Sequence, residues 1–313
     1  MQTPQGAKTE VLKKALNYVN KNNINVTVWN KFKNEIDNIK DKYKEINFTT
    51  NLKESINNKD LIIVAIPVNF IEDTMLELKK YYNNEDILIV SKGIDTKNNK
   101  FAYEIINDIL KPSNIGVISG GSFAIDMQNK QPLGLTLGTN SNIIKDKVKN
   151  CIENEYIKVQ YTSDMIGVSI CGSIKNVMAI GFGILDGANF SDSTKFLFLT
   201  NAIYEIKELI EKLGGDDSTI LSYAGIDDIM MTCTSSNSRN YTLGSLIGNN
   251  SSNSEITKYK ENTTIEGLGT SKSIYNLLKD KNINLSLINI IYDILYNNKS
   301  YNVLIEYLKQ PKN

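Results

Sequence analysis

Met165–Gly187 reads MIGVSICGSIKNVMAIGFGILDG, apolar and small residues with one charge in the middle, Lys175, and Asn176 beside it. A run of this length can span a bilayer. A central lysine, however, costs about 2.5–3.5 kcal/mol on insertion scales, and no second long apolar run exists to shelter it. The run therefore reads as a buried helix of a soluble protein that carries one ammonium group into the interior, with no membrane span. Such a group is costly unless paired, and burial lowers its pKa toward the range useful for proton transfer. On this helix alone, a structural salt bridge is the plainer alternative.

The chain of 313 residues around it is long enough for two domains, and its 41% hydrophobic and 22% charged residues are an ordinary globular balance. Formal net charge is +0, which points away from nucleic acid as a partner. The chain has no histidine, which excludes Ser-His-Asp and Cys-His catalysis and histidine-ligated metals. Proton transfer must then use Lys, Asp, Glu, Tyr or Cys. Three widely spaced cysteines, Cys151, Cys171 and Cys233, suggest neither a disulfide framework nor a zinc site, so no metal is expected. A reducing cytoplasm fits, and the N-terminal MQTPQGAKTEVLKK has no apolar region of the signal-peptide kind.

Upstream of the run, strands alternate with helices. The patterning predicts a helix over 8–22, a strand over 25–29, a charged helical stretch to about 45, and a strand over 61–67 buried on both faces. A helix over 69–82 follows, then a strand over 87–91 running into Lys92-Gly93. A helix over 101–110 leads to a strand over 116–119 that opens into Gly120-Gly121-Ser122. A helix near 141–154 and a strand over 158–161 close this half. The alternation implies a doubly wound parallel sheet, an α/β domain over 1–163, with ligands beyond the carboxyl ends of its strands. From about 164 the spacing is helical, over 165–185, 194–213, 218–231, 271–280 and 285–310, with a polar loop-like segment over 248–264 that has room for a short helix. Residues 164–313 thus read as an all-α domain.

Three further segments hold polar groups that a core helix does not ordinarily carry. In AGIDDIMMTCTS (224–235), Asp228 and Thr232 fall i,i+4 on one helical face. A carboxylate able to hold a lysine, with a hydroxyl beside it, makes a proton-handling set; a helix N-cap is the alternative use of Asp227-Asp228. Ser238-Arg239-Asn240 is a donor cluster; most basic residues here are lysines, and a guanidinium suits phosphate well. Ile265-Glu266-Gly267 puts an acid and a glycine after the polar loop.

Taken together, SKGID (91–95), SGGSFAID (119–126), GSIKNVMAIGFGILDG (172–187), AGIDDIMMTCTSSNSRN (224–240) and IEG (265–267) closely resemble the bacterial-type NAD(P)-dependent glycerol-3-phosphate dehydrogenases, in order and spacing. The resemblance runs from about residue 20 to the C-terminus. It implies a Rossmann-like domain followed by a helical one, a homodimer, and reduction of dihydroxyacetone phosphate by NAD(P)H to sn-glycerol 3-phosphate for phospholipid synthesis. It makes Lys175 the proton donor and acceptor, positioned with the substrate hydroxyls by Asn176, Asp228 and Thr232. It puts Ser238, Arg239 and Asn240 on the substrate phosphate, with Arg239 also near the cofactor. It sets Lys92, Gly120 and Ser122 along the substrate side, with Lys92 also toward the cofactor, and Ala124, Thr264 and Glu266 against the cofactor.

The sequence also departs from this pattern. The family opens with a strand and a G-x-G-x-x-G turn that brings amides to the pyrophosphate. That turn falls near residues 7–12, where AKTEVL stands, with Gly6 the nearest glycine and Glu10 adding a negative charge. The first strand therefore reads as degenerate or missing. Two readings follow. One is an altered or mis-called start on an ordinary enzyme, which the complete C-terminal segments favour. The other is a cofactor-deficient, non-enzymatic relative that serves as a subunit or scaffold. Gly121 stands where the family usually has Pro, Asp126 where it has Glu, and Asp227 where it has Gly; Asp227 is expected to raise the pKa of Asp228. After Trp29 comes Asn30-Lys31 with no acid, and Lys31 tolerates a 2′-phosphate, a lean to NADP(H) over NAD(H).

Overall fold

The structure, a computed structural model, describes residues 24–44 and 46–311. The helix expected over 8–22 and the turn expected near 7–12 lie outside them. Two short strands, β1 (Thr27–Trp29) and β2 (Asn47–Thr49), pair in parallel. A five-stranded sheet follows in the order β3 (Leu61–Val64), β4 (Asp86–Ile89), β5 (Ile115–Ser119), β6 (Leu133–Gly138) and β7 (Ile157–Thr162). The α/β class and the helical second half are as the sequence leads one to expect.

The sheet is not wholly parallel. β3, β4 and β5 run parallel, β6 runs antiparallel to β5, and β7 is parallel to β6. The reason lies in the connection. Between β5 and β6 stands only a five-residue helix, Ala124–Gln128, which rises about 7.5 Å. The helix is shorter than the roughly 17 Å of a five-residue strand, so it does not by itself return the chain to the start of β5, and β6 comes back antiparallel. Both β2 and β6 escaped the patterning. β2 has three residues, and β6 (LGLTLG) carries two glycines, which weaken a strand signal. The charged stretch expected to be helical to about 45 is a short helix, Lys33–Asp37, and a 3-10 turn, Lys40–Lys42, stopped by β2.

β4 is buried along its whole length, whereas Ile63 of β3 is 41% exposed. The expectation of burial on both faces therefore fails at β3, which is an edge strand among the described residues.

In the second half, Met165–Gly187 is one continuous helix, long and apolar enough to cross a membrane but buried within the fold. Helices Asp192–Lys212, Asp228–Thr234, Arg239–Gly248 and Glu266–Asp280 surround it. Its closest approach is to Arg239–Gly248. A Cβ on Gly183 would lie 2.2 Å from the Tyr241 carbonyl oxygen, and one on Gly244 2.1 Å from that of Ile180. Only glycine at both positions lets the two backbones meet.

The segment expected to be one helix over 218–231 is broken. It comprises a 3-10 turn (Asp217–Leu221), a wide π-type turn (Tyr223–Asp227) and the helix Asp228–Thr234. Gly225, at φ −87 and ψ −110, is the non-helical residue at the break. The polar segment over 248–264 holds a full helix, Asn253–Asn262, started by a Ser252/Glu255 capping box.

Candidate active site

Three elements bring the candidate residues together. Lys92 follows β4, and Gly93 behind it, at φ +105, turns the chain in a backbone conformation that suits glycine. The Gly93 N–H donates to Ser173 Oγ at 2.9 Å, which fastens this turn to the central helix. The Gly120–Ser122 turn follows β5, and the Ser122 hydroxyl donates to the Gly120 carbonyl at 3.3 Å. Lys175 points from the middle of the central helix toward both.

At the centre is Asp228, fully buried. One of its carboxylate oxygens takes the Lys175 ammonium; the other takes the Lys92 ammonium at 2.8 Å. Lys175 also donates to Thr232 Oγ1 at 3.0 Å, and that hydroxyl donates to Asp228 at 3.3 Å, as the i,i+4 spacing anticipates. Lys92 reaches the Gly120 carbonyl at 3.5 Å, and Ser119 Oγ lies 3.4 Å from Asp228. Of the Asp227-Asp228 pair, Asp227 takes the N-cap position of Asp228–Thr234 without a side-chain cap hydrogen bond, while the Asp228 side chain faces the two ammonium groups.

The charges follow from this packing. Burial pushes Lys175 down to about 8, and the Lys92 charge adds to it against the pull of Asp228. Burial also acts to lower Lys92, but Asp228 outweighs it and holds Lys92 above the ordinary lysine value. For Asp228, desolvation is overcome by the two ammonium groups, which keep its carboxyl well below the usual carboxylate range. That corrects the expectation that Asp227 would raise Asp228. It is Asp227 that is raised, by desolvation and by the charge of Asp228.

A second cluster lies one step along the helix. Asn176 donates to Glu266 Oε2 at 3.2 Å and accepts from Asn240 Nδ2 at 2.9 Å, while Asn240 Oδ1 accepts the Gly267 N–H at 2.9 Å. Asn240 is thus a strut between three helices, with one amide hydrogen left for a ligand. Ser238 caps Arg239–Gly248, its oxygen accepting from the Tyr241 N–H at 3.3 Å and its own proton remaining for another partner. Arg239, the only arginine in the sequence, forms no ion pair among the described residues.

Thr264 is half-buried just ahead of the helix that Glu266 opens, and Ala124 opens the short helix after the Gly120–Phe123 turn. Lys31 is exposed in the bend after β1 and forms no ion pair among the described residues, so it joins neither cluster. Ser119 and Ser173 are contacts that the sequence reading missed. Their only signal was position: Ser119 at the end of β5 before two glycines, and Ser173 two residues before Lys175.

Known proteins share the sequence and the fold of both halves. Residues 14–144 match the N-terminal family model of NAD-dependent glycerol-3-phosphate dehydrogenase, and residues 164–306 the C-terminal one. A glycerol-3-phosphate dehydrogenase [NAD(P)+] of Staphylococcus carnosus is 32% identical over 296 residues, covering 90% of this chain and 89% of that one. The fold is shared with a solved glycerol-3-phosphate dehydrogenase of Coxiella burnetii, with a TM-score of 0.88, 24% identity, and 96% and 95% of the two chains covered. It is also shared with that of Plasmodium falciparum, with a TM-score of 0.84, 21% identity, and 98% and 94% covered. The chain belongs to the NAD-dependent glycerol-3-phosphate dehydrogenase family.

Proposed function

We propose that this chain reduces dihydroxyacetone phosphate to sn-glycerol 3-phosphate with NAD(P)H, and that Lys175 handles the proton. The observation that carries this reading is the buried Lys92–Asp228–Lys175–Thr232 cluster at the carboxyl ends of β4 and β5. The residues present fit the reacting end of such a cofactor. Glu266 is exposed at the start of its helix and accepts from Asn176, the neighbour of Lys175 on the central helix. When bound, the reduced nicotinamide supplies a hydride to the carbonyl carbon.

Reduction of a ketone also consumes one proton, delivered to the carbonyl oxygen. Lys175, at about 8, gives that proton near neutral pH and takes it back in the reverse reaction. Asp228 fixes the ammonium and Thr232 holds its second direction. Lys92 stays cationic and favours negative charge developing on the same oxygen. Arg239, Ser238 and the free N–H groups at the start of Arg239–Gly248 receive the substrate phosphate. Asn240 and Asn176 hold the helices that carry these groups, and Gly120 and Ser122 bound the substrate. Ala124, Thr264, Glu266 and Lys31 serve the cofactor, and Lys31 in place of an acid favours NADPH.

The complete lysine–aspartate cluster favours an enzyme over a non-enzymatic subunit or scaffold, because a buried and a half-buried ammonium group sharing one buried carboxylate cost folding energy. A division into 1–163 and 164–313, a homodimer and a cytoplasmic place complete the reading, with the product supplying the backbone of glycerophospholipids. The test is oxidation of NADPH and NADH by the full chain with dihydroxyacetone phosphate. Dependence on that substrate, lost in Lys175→Ala, supports it; no substrate-dependent oxidation by the unaltered chain overturns it.

A further inference from the structure

Asp227 takes no part in the lysine cluster. It stands at the rim, exposed, at the end of the wide turn Tyr223–Asp227. That turn is pinned to β6 from two sides. The Ala224 N–H donates to Thr136 Oγ1 at 3.0 Å, and the Tyr223 ring fills the space over Gly134, where a Cβ would lie 2.4 Å from the ring. So anchored, the turn delivers the Asp227 carboxylate onto Gly121, whose backbone N–H donates to it. A Cβ on Gly121 would lie 2.7 Å from Asp227 Oδ2 and 3.3 Å from Met231 Sδ. A side chain at Gly121 would therefore meet the Asp227 carboxylate and require it to move aside.

We infer that Asp227 is a positioning residue that fixes the Gly120–Ser122 turn for substrate, through its hydrogen bond from the Gly121 N–H. The turn has a reason to be held. Its Gly120 carbonyl accepts from both Lys92 and Ser122, so a displacement there moves an acceptor of the cationic lysine. Asp227 and Asp228 divide the work along two consecutive residues, one carboxylate holding the turn and the next holding the lysines. The groups facing Asp227 are Asp228 beside it and Lys175 from the central helix. Its role as an acceptor is separable from its charge, because an asparagine oxygen accepts the same N–H.

This inference rests on the reductase reading above, and a four-variant experiment keeps the two apart. Steady-state kinetics with dihydroxyacetone phosphate and melting curves are measured for Asp227→Ala, Asp227→Asn, Gly121→Ala and Gly121→Ala/Asp227→Ala. The expected result is a KM about five- to twentyfold higher in Asp227→Ala with kcat within about threefold, and a return to within about twofold of the unaltered KM in Asp227→Asn. Gly121→Ala is impaired, and removing the Asp227 side chain from it restores part of the loss, so the two changes do not multiply. Equal effects of Asp227→Ala and Asp227→Asn, or strictly multiplicative effects at the two positions, overturn the inference. Should Gly121→Ala fail to fold, the comparison of Ala and Asn at 227 decides alone. Should the unaltered chain lack reductase activity, the reading above fails first, and the same cycle in melting temperature decides whether the contact exists: additive shifts overturn it.

Discussion

Lys92 and Lys175 hold opposite oxygens of one buried carboxylate, that of Asp228, and so titrate against each other as well as against it. The consequence is asymmetric. Lys175, the more deeply buried of the two, is driven down to about 8, while Lys92 is held up.

That asymmetry sets the pH profile. In the proposed reaction, reduction uses the protonated Lys175, so kcat/KM for dihydroxyacetone phosphate is expected to be flat below about 8 and to fall above it. Oxidation of glycerol 3-phosphate needs the free amine and rises through the same range. Lys175→Ala lowers turnover on the order of 10²–10⁴-fold and removes this limb. Rate profiles in both directions check it; parallel profiles for the two directions would sink it.

Asp228 should matter for folding as well as for rate. Asp228→Ala leaves two ammonium groups without their counter-charge, which costs about 3–5 kcal/mol for a broken buried pair, read as a lower urea midpoint. Because its pKa is depressed in the folded chain, the carboxylate stabilises above its ordinary 3.8, and this is lost as pH falls through the lowered value. Lys175 works the other way. Its lowered pKa costs stability below about 8, and that cost fades as pH climbs toward the unfolded value of 10.5.

Arg239 has no ion pair among the described residues to lose, so its replacement should spare the fold. Arg239→Ala is expected to raise the KM for dihydroxyacetone phosphate roughly 10- to 100-fold, the range of a charge-assisted hydrogen bond, with an unchanged melting curve. A lowered melting temperature with unchanged KM would mark it as structural.

Gly244→Ala tests the helix seam. The added methyl meets the Ile180 carbonyl at 2.1 Å, and overpacking of this kind costs about 1–3 kcal/mol or more. Differential scanning calorimetry reads the loss, and a neutral outcome would mean that the helices separate freely.

The lysine–aspartate–threonine set was legible because each member broke its surroundings. Lys175 is the one charge in the middle of an apolar run, and Asp228 and Thr232 fall at helical spacing. β6 was hidden by its own glycines, and its reversed direction depends on the length of a connection that periodicity does not weigh. Ser119 was invisible for another reason: a hydroxyl at a strand end is common, and only packing of Gly172 against it shows why it faces Asp228. Gly121 and Asp227 were each noted as departures from the family pattern, yet nothing in a linear chain says that they touch.

The glycine seam along Met165–Gly187 has a bearing on more than stability. At Gly172, one turn before Lys175, the helix packs directly on Ser119 and Lys92, and the burial of Lys175 there is what brings the amine within reach of neutral pH. A change that loosens this packing lets solvent in and returns the lysine toward its solution value. The position of the alkaline limb is therefore a gauge of core packing, and variants selected for a shifted working pH should accumulate where the central helix packs on its neighbours.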